Sequence, residues 1–122
     1  MTDFKLIDTS IWLDYLFKSK YKEIIDLPEM VMTSVLTIFE IKKKMYKDKM
    51  DAALIKAAIA FIEKKSLVEP VSREIADLAA QLSFQHQLAA TDALIYATAR
   101  HRNVQLITRD NDFRGLQETL VL

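Results

Sequence analysis

The 122-residue sequence contains no cysteine, one glycine, two prolines and two histidines, and these shortages exclude whole classes of chemistry. Without cysteine there are no disulfides, thiol nucleophiles or thiolate zinc sites. With Gly115 as its only glycine, the chain lacks the glycine-rich loops by which a P-loop or a dinucleotide fingerprint brings backbone N–H groups to phosphates. His86 and His101 are the only imidazoles, so a three-histidine metal site is impossible and a Ser/His/Asp triad would have to be built on one of them. No sign of charge prevails, since 17 Lys and Arg balance 17 Asp and Glu. That balance argues against a non-specific nucleic-acid coat and leaves room for a local patch or a bound cation. No apolar run approaches the ~20 residues of a membrane span, and the opening Met1–Lys5 lacks the basic start of a signal peptide. A cytoplasmic location is therefore expected. What remains plentiful is carboxylate and hydroxyl chemistry.

The length fits one domain over residues 1–122, because a chain of this size buries roughly two thirds of its unfolded surface without staples. Hydrophobic residues make up 51% of the chain, enough for a good core and suited to a subunit interface. A short apolar run from Phe4 to Asp8 leads through Thr9 and Ser10 into Ile11, Trp12, Tyr15 and Leu16 at helical spacing. The order strand then helix recurs from Glu29 to Thr33 and from Val35 to about Tyr46. Asp51 to Lys65 has an amphipathic helical pattern, and Leu67 to Val71 around Pro70 fits a short edge strand. Ser72 is placed to cap a helix running to about Gln87, and Thr91-Asp92 to open another. Val104 to Thr108 then reads as a strand, Asp110 to Leu116 as turns, and Thr119 to Leu122 as a last short strand. Alternation of this kind predicts an α/β fold with a mainly parallel sheet covered by helices, whose ligand edge lies at the carboxyl ends of the strands.

Four carboxylates fall on that edge. Asp8 ends the first strand, Asp110 follows the Val104 to Thr108 strand by two residues, and Asp92 stands in the first turn of a helix. Glu40 lies six residues past Ser34, about 9 Å along its helix. Helical side chains lean back toward the N-terminus, so Glu40 can still reach the edge.

Taken singly, each has a purely structural explanation. Asp8 with Thr9 and Ser10 fits a helix cap, and Asp92 fits a favourable charge at a helix N-terminus. Glu40 and Lys44 form an i,i+4 pair on a polar face shared with Thr37 and Lys47, and Asp110-Asn111-Asp112 fits an Asx turn. Four independent caps and turns need not all fall on the ligand edge, however. Crowded carboxylates repel unless they are protonated or neutralised. A hard divalent cation, Mg²⁺ or Mn²⁺, meets that need with oxygen ligands and suits phosphoryl chemistry with water as nucleophile.

The segments Leu6-Ile7-Asp8-Thr9-Ser10, Thr37-Ile38-Phe39-Glu40-Ile41, Ala90-Thr91-Asp92-Ala93-Leu94-Ile95-Tyr96-Ala97 and Leu106-Ile107-Thr108-Arg109-Asp110-Asn111-Asp112-Phe113 stand in this order along the chain. Together they resemble the PIN-domain family and, within it, the short VapC-type toxins of toxin–antitoxin pairs. The resemblance spans essentially the whole chain. It implies a three-layer α/β/α fold and a ribonuclease whose Mg²⁺ or Mn²⁺ is held by an acidic quartet, which maps onto Asp8, Glu40, Asp92 and Asp110. Thr9 and Thr108 would supply supporting hydroxyls. Asp110 is preferred to Asp112 as the last member because it lies closer to the strand end. The same resemblance implies Asp8 and Asp92 as the main direct metal ligands, with Glu40 and Asp110 acting through water or a second cation. It implies an RNA substrate, a homodimer, and a cognate antitoxin whose C-terminal segment covers the site.

Other groups have simpler roles. Ser10 and Ser34 are better caps than nucleophiles, since neither has an evident base. Lys42, Lys43, Lys44, Lys47 and Lys49 fit a solvated face, and Trp12, Tyr15 and Phe17 fit core positions, although an RNA surface and a partner surface are the respective alternatives. A phosphoryl-accepting receiver or phosphatase is disfavoured. Asp8-Thr9-Ser10 lacks an Asp-x-Asp pattern, and Thr108-Arg109 stands where a receiver needs lysine. A catalytically inactive binding module and another metal-dependent phosphohydrolase are the remaining rivals.

Overall fold

The structure, a computed structural model, describes residues 4–122. Met1–Asp3, part of the segment read above for a signal peptide, lie outside the described residues. Five strands form one sheet: β1 (Lys5–Ile7), β2 (Val31–Ser34), β3 (Ser66–Glu69), β4 (Gln105–Thr108) and β5 (Thr119–Val121). Their order is β3-β2-β1-β4-β5, and every neighbouring pair is parallel. The expected α/β fold with a mainly parallel sheet is thus what forms.

Alternation along the central strands builds the three layers, because successive side chains point to opposite faces. Leu6 and Leu106 face one way, toward α5 (Arg73–His86) and α6 (Ala90–His101), where Ile75, Ala79, Leu82 and Tyr96 join them in one core. Ile7 and Ile107 face the other way, where α1 (Thr9–Lys18), α3 (Val35–Lys47) and α4 (Ala52–Lys65) contribute Ile11, Trp12, Ile41, Met45, Ile55 and Ile62. Trp12 is fully buried in this second core, and its Nε1 donates to Thr33 Oγ1 at 3.1 Å. Among the described residues no helix is long and apolar enough to cross a membrane.

Local sequence explains most element boundaries. Ser34 accepts from Leu36 N, Asp51 from Ala53 N and Ser72 from Ile75 N, so each caps the helix that follows it. With a single glycine in the chain, helix ends that require positive φ fall to other residues: Ser19 closes α1 and Gln87 closes α5, both at φ 54°. The edge strand expected at Leu67–Val71 starts and ends earlier, at Ser66–Glu69, because Val31 to Ser34 pair in register with Ser66 to Glu69. A four-residue helix, α2 (Lys22–Ile25), was not anticipated; it drops Ile25 into the second core.

The chain runs from β1 outward through β2 to β3, then returns to place β4 on the other side of β1. Between β1 and β4 the connections leave in opposite directions. That divergence opens a crevice at the carboxyl ends of these two strands, the usual place for a ligand in an open α/β sheet.

Candidate functional site

Asp8 stands at the mouth of that crevice. Its backbone N–H donates to Ile107 O at 2.9 Å, extending the β1–β4 ladder by one residue. It occupies the N-cap position of α1, but its carboxylate makes no capping hydrogen bond. Oδ2 instead accepts from Ser10 Oγ and from Thr108 Oγ1, each at 2.8 Å. The reading of Asp8 and Ser10 as helix caps therefore gives way to a carboxylate held from two sides. Each hydroxyl has a further partner: Ser10 Oγ accepts from Arg109 N at 3.1 Å, and Thr108 Oγ1 accepts from Asp110 N at 3.0 Å.

Glu40 turns to Thr9 on α1. Thr9 Oγ1 lies 2.5 Å from Glu40 Oε1 and 2.9 Å from Thr37 Oγ1. Lys44 pairs with Asp48 at 3.3 Å, so the Glu40–Lys44 pair expected from i,i+4 spacing is replaced. Thr37, expected on the same polar face, is fully buried. Partial burial raises the Glu40 carboxyl above its usual range; the Thr9 hydrogen bond opposes this, the Asp8 charge adds to it, and Lys43 lowers it.

Asp92 sits in the first turn of α6, which Ala89 opens without a side-chain cap. Desolvation, followed by the charges of Asp110, Asp8, Glu40 and Asp112, raises its carboxyl from 3.8 to about 6. All four expected acidic residues therefore share one electrostatic environment, with Asp112 as a fifth. The tightest grouping differs from the expected quartet. Asp92, Asp110 and Asp112 each offer a carboxylate oxygen within 4.8 Å of the others, and Asp8 and Glu40 stand outside that trio. Asp110 also accepts from Asp112 N through Oδ1 at 2.9 Å, the Asx turn foreseen from sequence. That bond opens the short 3₁₀ turn Asn111–Phe113 and brings Asp112 round beside Asp110.

Sequence inspection did not single out Asp14. Its side chain is 4% exposed, with Arg109 Nε at 2.8 Å from Oδ2 and Lys18 Nζ at 3.6 Å from Oδ1. Oδ2 receives no aligned hydrogen bond, so the Arg109 contact is one of charges. It ties α1 to the segment following β4, next to Thr108 and Asp110. The i,i+4 spacing of Asp14 and Lys18 is readable in the sequence, whereas the Asp14–Arg109 and Thr37–Thr9 contacts are not, because those partners lie on different elements.

Hard oxygen donors in this number, at least one with its proton affinity raised by burial and by neighbouring negative charge, fit a hard divalent cation.

Comparison with known proteins agrees with the architecture. The model of the PIN domain family matches residues 5–118. No curated protein matches the sequence. Among solved structures, a toxin–antitoxin complex from Klebsiella pneumoniae is similar with TM-score 0.82 at 23% identity, covering 96% of this chain and 96% of that one. VapBC2 from Rickettsia felis, bound to a DNA fragment from its promoter, is similar with TM-score 0.78 at 14% identity, covering 98% of this chain and 97% of that one. The sarcin-ricin loop cleaving toxin VapC20 of Mycobacterium tuberculosis is similar with TM-score 0.73 at 21% identity, covering 93% and 95%. At these identities the likeness is one of fold.

Proposed function

The chain belongs to the PIN domain family, and from that premise we propose that it is a divalent-metal-dependent endoribonuclease, the toxin of a toxin–antitoxin pair. The carrying observation is the crevice carboxylate cluster: Asp92, Asp110 and Asp112 within 4.8 Å, with Asp8 and Glu40 adding their charge. The reading also draws support from structural neighbours described as toxin–antitoxin complexes and, in one case, as a toxin that cleaves the sarcin-ricin loop. RNA is the substrate, the cognate antitoxin is the partner, and the active form is a cytoplasmic homodimer.

The residues divide the work. Asp8 and Asp92 would be the principal ligands of Mg²⁺ or Mn²⁺, with Glu40 and Asp110 acting through water or a second cation and Asp112 beside Asp110. A cation held there would supply activation of a water for attack and compensation of the charge developing on the phosphate. Ser10 and Thr108 hold Asp8 by one oxygen, Oδ2, which orients the other. Thr9 does the same for Glu40 through Oε1. No protein nucleophile is required, and no imidazole takes part. Without a cation, five carboxylates would repel a phosphate backbone; with one, the same cluster accepts it.

The test is cleavage of structured RNAs by the purified protein, by Asp8→Asn and by Asp92→Asn, with Mg²⁺, with Mn²⁺ and with chelator. Wild-type cleavage that needs metal and is lost in both variants is expected. Equal cleavage by all three proteins, or cleavage indifferent to chelation, overturns the metal–carboxylate mechanism. Metal binding without cleavage of RNA or any other phosphodiester assigns the chain to the inactive binding modules. Expression toxicity relieved by a small co-expressed protein supports the toxin role.

A further inference from the structure

Thr37 is fully buried on α3, three residues before Glu40, and has one hydrogen-bond partner among the described residues: Thr9 Oγ1 at 2.9 Å. A buried hydroxyl needs a partner, and a helical threonine ordinarily finds one in the carbonyl four residues back. Thr98 does so, donating to Leu94 O at 2.8 Å. Thr37 instead points across to α1.

Proton counting fixes the direction of this contact. A hydroxyl carries one proton, and an ionised carboxylate carries none. The single proton of Thr9 goes to Glu40 Oε1, 2.5 Å away. The contact between the two threonines must then be made by the Thr37 proton, with Thr9 accepting. The chain runs one way, from Thr37 through Thr9 to Glu40. Each bond in such a chain polarises the next, and a hydroxyl that both donates and accepts has its rotor fixed. Valine would fill the same volume without a polar group to satisfy, so the hydroxyl at position 37 is a costly choice for packing alone.

We infer that Thr37 is a positioning residue for Glu40: from inside the core it orients the Thr9 hydroxyl, which fixes Glu40 Oε1 and leaves the second carboxylate oxygen to face the acidic cluster. The consequence for metal binding rests on the proposed nuclease reading, whereas the hydrogen-bond chain itself does not.

The test compares Thr37→Val, nearly isosteric, with Thr37→Ser, which restores the hydroxyl. In the metal-free protein the side-chain carboxyl ¹³C resonance of Glu40, assigned through Glu40→Gln, is expected to move in Thr37→Val and to return toward its wild-type position in Thr37→Ser. Mn²⁺ affinity, followed by electron paramagnetic resonance, is expected to fall about tenfold in Thr37→Val and to recover to within about twofold in Thr37→Ser. In the wild-type protein the Thr37 hydroxyl proton is expected to exchange slowly and to show a nuclear Overhauser contact with Thr9, a measurement that does not depend on a variant folding. A Glu40 resonance unmoved in Thr37→Val, equal shifts in both variants, or a Thr37 proton directed at its own helix each overturn the inference. A wild-type protein that binds no Mn²⁺ overturns the nuclease reading, and the Glu40 resonance still decides the chain.

Discussion

Thr108 Oγ1 donates to Asp8 Oδ2 at 2.8 Å although 100 positions separate the two residues. Parallel pairing of Ile7 with Ile107 puts the next residue of each strand side by side at the sheet edge. The same hydroxyl accepts from Asp110 N, so one threonine ties the carboxylate after β1 to the turn after β4.

Removing that hydroxyl should loosen both. Thr108→Val is expected to lose about 1.5–3 kcal/mol of stability, the net worth of a buried hydrogen bond to a carboxylate. Cleavage should fall about tenfold or more, as for other groups that orient metal ligands. Denaturant unfolding and RNA cleavage measure the two effects, and full activity in the variant would show that Asp8 needs only Ser10.

The raised Asp92 carboxyl gives a pH dependence with a definite sign. Its folded value of about 6 lies above the ordinary 3.8, so the folded state holds the proton more tightly than the unfolded one. Stability from this group is complete below pH about 4 and is lost as pH rises through about 6. Taken in full the shift is worth about 3 kcal/mol, and solvent screening of a partly exposed side chain reduces it to about 1 kcal/mol. Metal-free protein should therefore gain stability between pH 7.5 and pH 5 relative to Asp92→Asn. Saturating Mn²⁺ at pH 7.5 should remove the difference; calorimetry at the two pH values checks both statements.

The Asp14–Arg109 contact is asymmetric, with side chains 4% and 48% exposed respectively. Arg109→Ala leaves a buried carboxylate with only Lys18 near it and should cost about 2–3 kcal/mol. Asp14→Asn leaves a guanidinium that water can reach and should cost about 1 kcal/mol. Chemical denaturation of the two variants tests the order, and equal losses would mean that Lys18 compensates for Arg109.

Gln87 closes α5 at φ 54°, in the left-handed region where a side chain is strained. Gln87→Gly should raise stability by about 0.5–1 kcal/mol without touching the acidic crevice. Thermal unfolding measures it, and unchanged RNA cleavage serves as the control.

Much of this was legible in the linear chain because it follows local rules. Alternating Leu6/Ile7 and Leu106/Ile107, the cap at Ser72 and the helical patterns depend on neighbours within a few residues, so the parallel α/β class, the positions of Asp8 and Asp110 just after strands and that of Asp92 in the first turn of α6 could be read directly. Glu40 was legible as a position and misread as a partner. Spacing offered Lys44, whereas helix packing supplied Thr9 from 31 residues away. Ser10 looked like a cap for the same reason: its true partners, Asp8 Oδ2 and Arg109 N, meet only where two parallel strands end together.

The sequence by itself determined which chemistry was available. With one glycine, two histidines and no cysteine, only oxygen ligands and hydroxyls were left, and the hydrophobic pattern sent the carboxylates to one edge. Only the tertiary structure decided which carboxylates crowd together, bringing Asp112 in with Asp92 and Asp110 and leaving Asp8 and Glu40 to their hydroxyl partners. The reason is physical: composition and periodicity act through local backbone preference and burial, whereas a distance between carboxylate oxygens is set by strand register and helix packing across the whole chain.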